Sequence, residues 1–185
     1  CDVNQRHGQP LAVVVGAGAL GMAVARRLGN THRVLLADRD AVHLDGRVAA
    51  MSDEGHDVSG LVCDVIDSKA VASLAEEARR EGGVRALTHV VGLSPSMADG
   101  ETILRVNLAG ATLVADAFAD VLQPGAAGVF IASVAGHSPE PSPAVTAALD
   151  NPLAEHFVAA VTDGGLDGSQ RGLHKAADQR CRSRS

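Results

Sequence analysis

Tryptophan and tyrosine are absent from this 185-residue sequence, and only three phenylalanines are present. The core must therefore be assembled from Ala, Val, Leu and Ile, which suits short buried strands covered by Ala-rich helices. Cysteine is scarce as well. Cys1, Cys63 and Cys181 are odd in number and far apart, which excludes a disulfide framework or a metal knuckle and fits a reducing, cytoplasmic compartment. No long hydrophobic run occurs. The longest, Leu11 to Ala25, has 15 residues including three glycines, too short to span a bilayer and without a signal-peptide cleavage pattern. Basic charge is sparse through the body: residues 1–168 hold 11 basic and 21 acidic side chains within a net charge of −6. An acidic body excludes nucleic acid as the main partner, because phosphate neutralisation needs a basic face. The five basic residues of 169–185 read as a solvated tail. His7, His32, His43, His56, His137 and His156 show no metal-ligand spacing and read as surface groups, with His137 also near the expected substrate pocket.

What is present is a regular alternation. Leu11-Ala-Val-Val-Val15 is a β-branched run ending at glycine, and Ala19 to Gly29 follows as a helix. Strands are then expected at 33–37, 58–63, 87–91 and 128–132, with helices at 40–54, 67–81 and 101–122 between them. Short strands alternating with longer helices imply right-handed βαβ crossovers and a parallel sheet. The expected fold is α/β: a Rossmann-type doubly wound parallel β-sheet in three α/β/α layers. Residues 1–185 read as one such domain, with an N-terminal arm at 1–10. The proline-bearing stretch 136–169 reads as an insertion over the site, and a last helix is expected from about Gln170 to Arg180, with 176–185 a disordered tail.

The chemistry-bearing motif is Gly16-Ala-Gly18-Ala19-Leu20-Gly21, which follows a strand and opens a helix. Gly16 permits the tight turn, Gly18 lets backbone N–H groups approach a pyrophosphate, and Gly21 lets the helix pack against the sheet. The turn through Ala19 and Leu20 opens the helix, whose N-terminus attracts an anion. Asp38 ends the second strand, 17 residues after Gly21. An acid there can accept both ribose hydroxyls of an adenosine and would repel a 2′-phosphate, so NAD is expected ahead of NADP, although Arg39 leaves room for the latter. Asp38 or Asp40 could alternatively cap the next helix. Asp64 could reach an adenine amino group while the Val65 N–H meets a ring nitrogen; a plain helix cap is the other reading of Asp64.

In these features the chain resembles the short-chain dehydrogenase/reductase family. The similar segments are VVVGAGALGMAVARRL, LLADRD, CDV at 63–65, HVVGLSP at 89–95, ILRVNLAG at 103–110 and VFIASVAGH at 129–137. The loop has GxGxxG in place of the family's commoner TGxxxGxG. The family's NNAG falls on His89-Val-Val-Gly92, which keeps only Gly92. The resemblance implies reversible hydride transfer between a nicotinamide and a small secondary alcohol or ketone. By position, Ser133 would hydrogen-bond the substrate oxygen, and Asn107, through a distortion of its helix, would hold a water of the proton relay. Plainer readings are a strand-end turn for Ser133 and a buried polar group for Asn107. The family's YxxxK falls on Arg171 to Lys175; Lys175 would contact the nicotinamide ribose, while Arg171 occupies the tyrosine position. A guanidinium cannot release a proton at pH 7, so a loss of roughly two to four powers of ten in rate is expected; His174 reads as a solvent-facing group, with a substitute acid the alternative. The family continues past this helix, so the chain reads as a truncated copy whose sheet is incomplete at its C-terminal edge; relatives usually form homo-oligomers. Two other readings stay open: a non-catalytic NAD-binding protein or degraded fragment, and an S-adenosylmethionine-dependent methyltransferase.

Overall fold

The computed structural model of the chain describes residues 8–132 and 142–164. Five strands form one parallel sheet: β1 (Leu11–Val15), β2 (Arg33–Asp38), β3 (Val58–Val62), β4 (Val84–His89) and β5 (Leu122–Phe130), in the spatial order β3-β2-β1-β4-β5. The order runs outward from β1 to β3 and then restarts beside β1 at β4. That reversal is the topological switch of a doubly wound Rossmann-type sheet, and it opens a crevice beyond the carboxyl ends of β1 and β4. Helices α1 (Ala19–Leu28), α2 (Ala41–Asp53), α3 (Ser68–Arg80), α4 (Gly100–Leu104) and α5 (Ala111–Phe118) flank the strands in sequence, with a π-helical segment, Arg105–Gly110, between α4 and α5. Two short helices follow, α6 (Pro143–Leu149) and α7 (Phe157–Asp163).

The described residues fall into two compact units: residues 8–90 with Val114–Phe130, and Val91–Leu113 with the described residues from Ile131 onward. The first holds all five of these strands. Every side chain of β1 is buried, alternately on the two faces, so both faces of the sheet centre are covered. Val14, Val34 and Leu36 share one core with Met22 and Ala25 of α1 and Leu44 and Met51 of α2. Burying each such side chain is worth roughly 1.5–3 kcal/mol. α3 turns Val71, Leu74, Ala75 and Ala78 inward, a spacing of three and four that repeats one helical face. Arg33 closes the far end of the sheet by bonding the Glu81 carboxylate (2.5 Å) and the Glu81 carbonyl (3.1 Å).

The second unit has its own apolar cluster. Ile103, Leu104 and Leu108 pack with Val145 and Leu149 of α6 and Phe157 and Val161 of α7. The segment read as an irregular insertion is thus, over 142–164, a pair of helices whose buried residues recur at intervals of four. Pro143 starts α6 rather than breaking it, sitting at its first position behind the Ser142 cap.

Two strands differ from expectation. β4 begins three residues early, at Val84, which pairs with both Leu11 and Leu122. β5 begins at Leu122, not Gly128, and ends at Phe130. Its early part is irregular: it advances from Leu122 to Ala127 while β4 advances only from Val84 to Ala86. The Arg85 guanidinium holds the Pro124 carbonyl, and the Gln123 amide holds the Gly82 carbonyl. Side chains of β4 and β5 thus secure a stretch in which Pro124 lacks a ladder donor. The long helix accordingly stops at Phe118 instead of reaching residue 122.

Candidate functional site

In the sheet-bearing unit the glycine motif forms a tight seat. Gly16 turns with φ of 108°, a left-handed conformation that disfavours any side chain, and its N–H donates to the Ala37 carbonyl at 2.7 Å. A Cβ on Gly21 would lie 1.7 Å from the Gly16 carbonyl oxygen and 3.1 Å from Val90 Cγ2. Only hydrogen fits there, and α1 can start this close to β1 for no other reason. Gly18 is the contrasting case: a Cβ there would meet nothing within 4 Å. It is the N-cap of α1 and supplies no side-chain bond to the helix start, so this helix end leaves its first N–H groups for another acceptor. Gly18, Ala19 and Leu20 are all exposed at this end.

Asp38 faces the same loop. Its Oδ2 accepts from the Ala17 N–H at 2.8 Å and its Oδ1 from the Asp40 N–H at 3.1 Å. Asp40, rather than Asp38, caps α2, accepting from the His43 N–H at 3.0 Å. The alternative cap role for Asp38 is thereby corrected. Asp38 remains half-buried against the glycine turn. At the end of β3, Asp64 Oδ1 accepts from the Ile66 N–H at 3.2 Å in a local turn, and Val65 is buried. Asp67, not Asp64, caps α3, accepting from the Lys69 and Ala70 N–H groups, so the helix-cap reading of Asp64 is also corrected. Cys63 beside it is buried, and that burial, with the charges of Asp64 and Asp67, pushes its thiol up to about 11.

The switch point also contains a histidine whose surroundings the sequence does not reveal. His89, at the end of β4, is 2% exposed and stacks on Phe130 with ring centroids 5.3 Å apart. Its Nε2 has no hydrogen-bond partner among the described residues, and burial pushes its pKa down to about 4, so the ring is neutral at pH 7.

In the second unit Asn107 lies within the π-helical turn Arg105–Gly110, a distortion that often marks a functional position. Its Oδ1 accepts from the Leu93 N–H (2.7 Å) and its Nδ2 donates to the Leu93 carbonyl (2.9 Å). Both polar atoms of the side chain thus clamp the backbone next to Gly92, where an added Cβ would stand 3.7 Å from Asn107 Oδ1. The turn leading into α4 is fixed by Asp99, whose carboxyl is held below the usual carboxylate range by hydrogen bonds from Thr102. Ser133, Lys175, Arg171, His174 and His137 lie outside the described residues.

The sequence reading missed one contact with the loop. His43, read as a surface group, places its Nε2 3.2 Å from the Ala17 carbonyl oxygen. Its place at the third position of α2 is the only sequence cue, because a helical side chain leans toward the N-terminus of its own helix. Among the described residues no group of three or more His, Cys, Asp or Glu could hold a metal ion. No helix among them is long and apolar enough to cross a membrane.

Comparison with known proteins agrees with this geometry. Residues 10–148 match the family model for short chain dehydrogenases. The short-chain dehydrogenase/reductase bsc3 of Alternaria brassicicola is 35% identical over 130 residues, covering 70% of this chain and 47% of the relative. The dehydrogenase/reductase SDR family member 4 of Bos taurus is 30% identical over 151 residues, covering 75% of this chain and 54% of the relative. The chain therefore spans about half the length of these relatives. Among solved structures, a short chain dehydrogenase/reductase from Burkholderia phymatum in complex with NAD superposes with a TM-score of 0.64 at 25% identity, covering 85% of this chain and 57% of that one. An actinorhodin polyketide ketoreductase with NADPH superposes with a TM-score of 0.62 at 24% identity, covering 84% and 61%.

Proposed function

Because this chain belongs to the short chain dehydrogenase family, we propose that it binds a nicotinamide adenine dinucleotide, NAD(H) in preference to NADP(H), at Gly16–Gly21 and Asp38. The observation that carries the reading is the joint geometry of the loop: Gly21 seated on the Gly16 carbonyl, Gly18 open, and the Asp38 carboxylate bonded to Ala17. The residues present fit the group. The uncapped start of α1, through Gly18, Ala19 and Leu20, suits a pyrophosphate. Asp38 has acceptor capacity for ribose hydroxyls beyond the two N–H bonds it already receives, and its charge disfavours a 2′-phosphate. In this proposal Asp64 and Val65 would meet the adenine edge, and Gly92 would lie beside the nicotinamide ribose.

Within this proposal the chain is an oxidoreductase for a small secondary alcohol or ketone. The bound nicotinamide would supply the hydride acceptor or donor. Ser133 would hold the substrate oxygen, Asn107 would order the helix segment that carries the proton-relay water, and Lys175 would contact the nicotinamide ribose. The sequence has no tyrosine, and in this proposal Arg171 stands at the family's tyrosine position, where a guanidinium cannot release a proton at pH 7. A second reading follows from that same absence: a protein that binds NAD(H) without turning it over. The methyltransferase alternative is set aside by the family membership.

Titration of the protein with NADH and NADPH, followed by nucleotide fluorescence, tests the binding proposal. NADH is expected to bind more tightly, and Asp38→Asn is expected to narrow or reverse the preference. Failure of both nucleotides to bind at millimolar concentration would refute it. Turnover of secondary alcohols then separates the two readings: a rate two or more powers of ten below that of tyrosine-bearing relatives, raised by Arg171→Tyr, supports an impaired enzyme, and none at all supports the binding protein.

A further inference from the structure

We infer that His43 is a positioning residue for the phosphate-binding loop: with hydrogen on Nε2 its ring donates to the Ala17 carbonyl and thereby aims the Gly18 N–H. The inference rests on the dinucleotide reading of that loop.

Three observations converge on it. Asp40 caps α2 by accepting from the backbone N–H of His43 at 3.0 Å, which fixes the first turn of the helix. A side chain at this third position leans back toward the helix start, and His43 Nε2 arrives 3.2 Å from the Ala17 carbonyl oxygen. The N–H of the same Ala17 is held from the other side by Asp38 Oδ2 at 2.8 Å. Two side chains, 21 and 26 residues away in sequence, therefore grip the two peptide groups that flank Ala17.

Peptide planarity turns this grip into a direction. In a trans peptide the carbonyl and the following N–H point in opposite senses. Holding the Ala17 carbonyl toward His43 therefore directs the Gly18 N–H away from α2. Gly18 is the cap of α1 and the loop position with open space around its Cα. Without His43 the Ala17–Gly18 peptide loses that bond, and the donor it offers is less firmly set in advance for a phosphate oxygen.

Arg47 sharpens the chemistry. Its Nε–H is directed at the same His43 Nε2, at 3.2 Å. A guanidinium N–H only donates and a carbonyl only accepts, so one nitrogen cannot satisfy both at once. With hydrogen on Nε2 the ring donates to Ala17 and releases Arg47; with hydrogen on Nδ1 it accepts from Arg47 and releases the loop. The ring tautomer therefore selects between an ordered loop and a held arginine. Removing Arg47 favours the first state.

The test uses the whole chain with and without nucleotide. In the nucleotide-free protein, His43→Phe keeps the ring and removes the donor, and is expected to move the Gly18 amide resonance; His43→Gln, whose amide nitrogen reaches as far as Nε2, is expected to restore it. Loss of one hydrogen bond corresponds to about a fivefold rise in the NADH dissociation constant for His43→Phe, with His43→Gln within about twofold of wild type. Arg47→Met is expected to shift the ring nitrogen resonances toward the Nε2–H tautomer without weakening NADH. Unchanged Gly18 resonance and unchanged NADH affinity in His43→Phe would overturn the inference, as would a Gln variant no better than Phe. A wild-type protein that binds no dinucleotide would instead refute the underlying reading of the site.

Discussion

His89 should make the protein acid-labile well before its carboxylates are titrated. In the folded chain burial pushes this imidazole down to about 4 from an ordinary value of 6.5, and its Nε2 has no partner among the described residues. Above pH 6.5 the ring is neutral in folded and unfolded chains, and the stability it allows is fully present. Between 6.5 and 4 the unfolded chain takes up a proton that the folded one refuses, so stability falls by about 1.4 kcal/mol per pH unit. The loss reaches about 2 kcal/mol at pH 5 and about 3 kcal/mol at pH 4. His89→Phe removes the titration while keeping a ring to stack on Phe130. Urea unfolding at pH 7.5 and pH 5.0, followed by far-UV circular dichroism because the chain has no tryptophan, gives four midpoints. The wild type is expected to lose about 1 M more in midpoint between the two pH values than the variant, for a slope of about 2 kcal/mol per M. Any constant effect of the larger ring on packing, and the titration of groups common to both proteins, cancels in that difference. Equal losses in the two proteins would refute the reasoning.

Gly21→Ala and Gly18→Ala should separate folding from binding. The first drives a Cβ into the Gly16 carbonyl and is expected to cost about 3 kcal/mol in urea unfolding, whereas the second leaves stability nearly unchanged and lowers NADH affinity only. Asn107→Leu strands the N–H and C=O of Leu93 and should cost about 2 kcal/mol by the same unfolding assay; a neutral result would mean that the clamp is not maintained in solution. The Cys63 thiol, raised to about 11, should be alkylated by iodoacetamide at pH 8 about two orders of magnitude more slowly than an ordinary thiol, read by mass spectrometry of its peptide. A rate like that of the unfolded chain would contradict its burial.

The parts of the fold legible in the sequence are those specified by neighbours along the chain. The run Leu11–Val15, the glycine turn and the alternation of strands and helices needed only local periodicity, and the parallel order followed from crossover rules. β5 was misplaced because Pro124 and Gly125 carry turn signals, which the Arg85 and Gln123 bonds override. The helices α6 and α7 were hidden by prolines that in fact precede or start them. The place of Asp38 at the end of β2 is legible in the sequence, but its bond to Ala17 is not. His43 was passed over because its partner is 26 residues earlier, and the stacking of His89 on Phe130 joins two strands that no local pattern connects.

The double grip on Ala17 also bears on the order of folding. Two of the groups that hold the turn between β1 and α1 come from the end of β2 and the start of α2. A nascent chain that has emerged only through α1 would carry the glycines without the conformation. The turn acquires its form when the second βα unit docks, so its geometry is a late, long-range product of closure whose loop entropy must be overcome first.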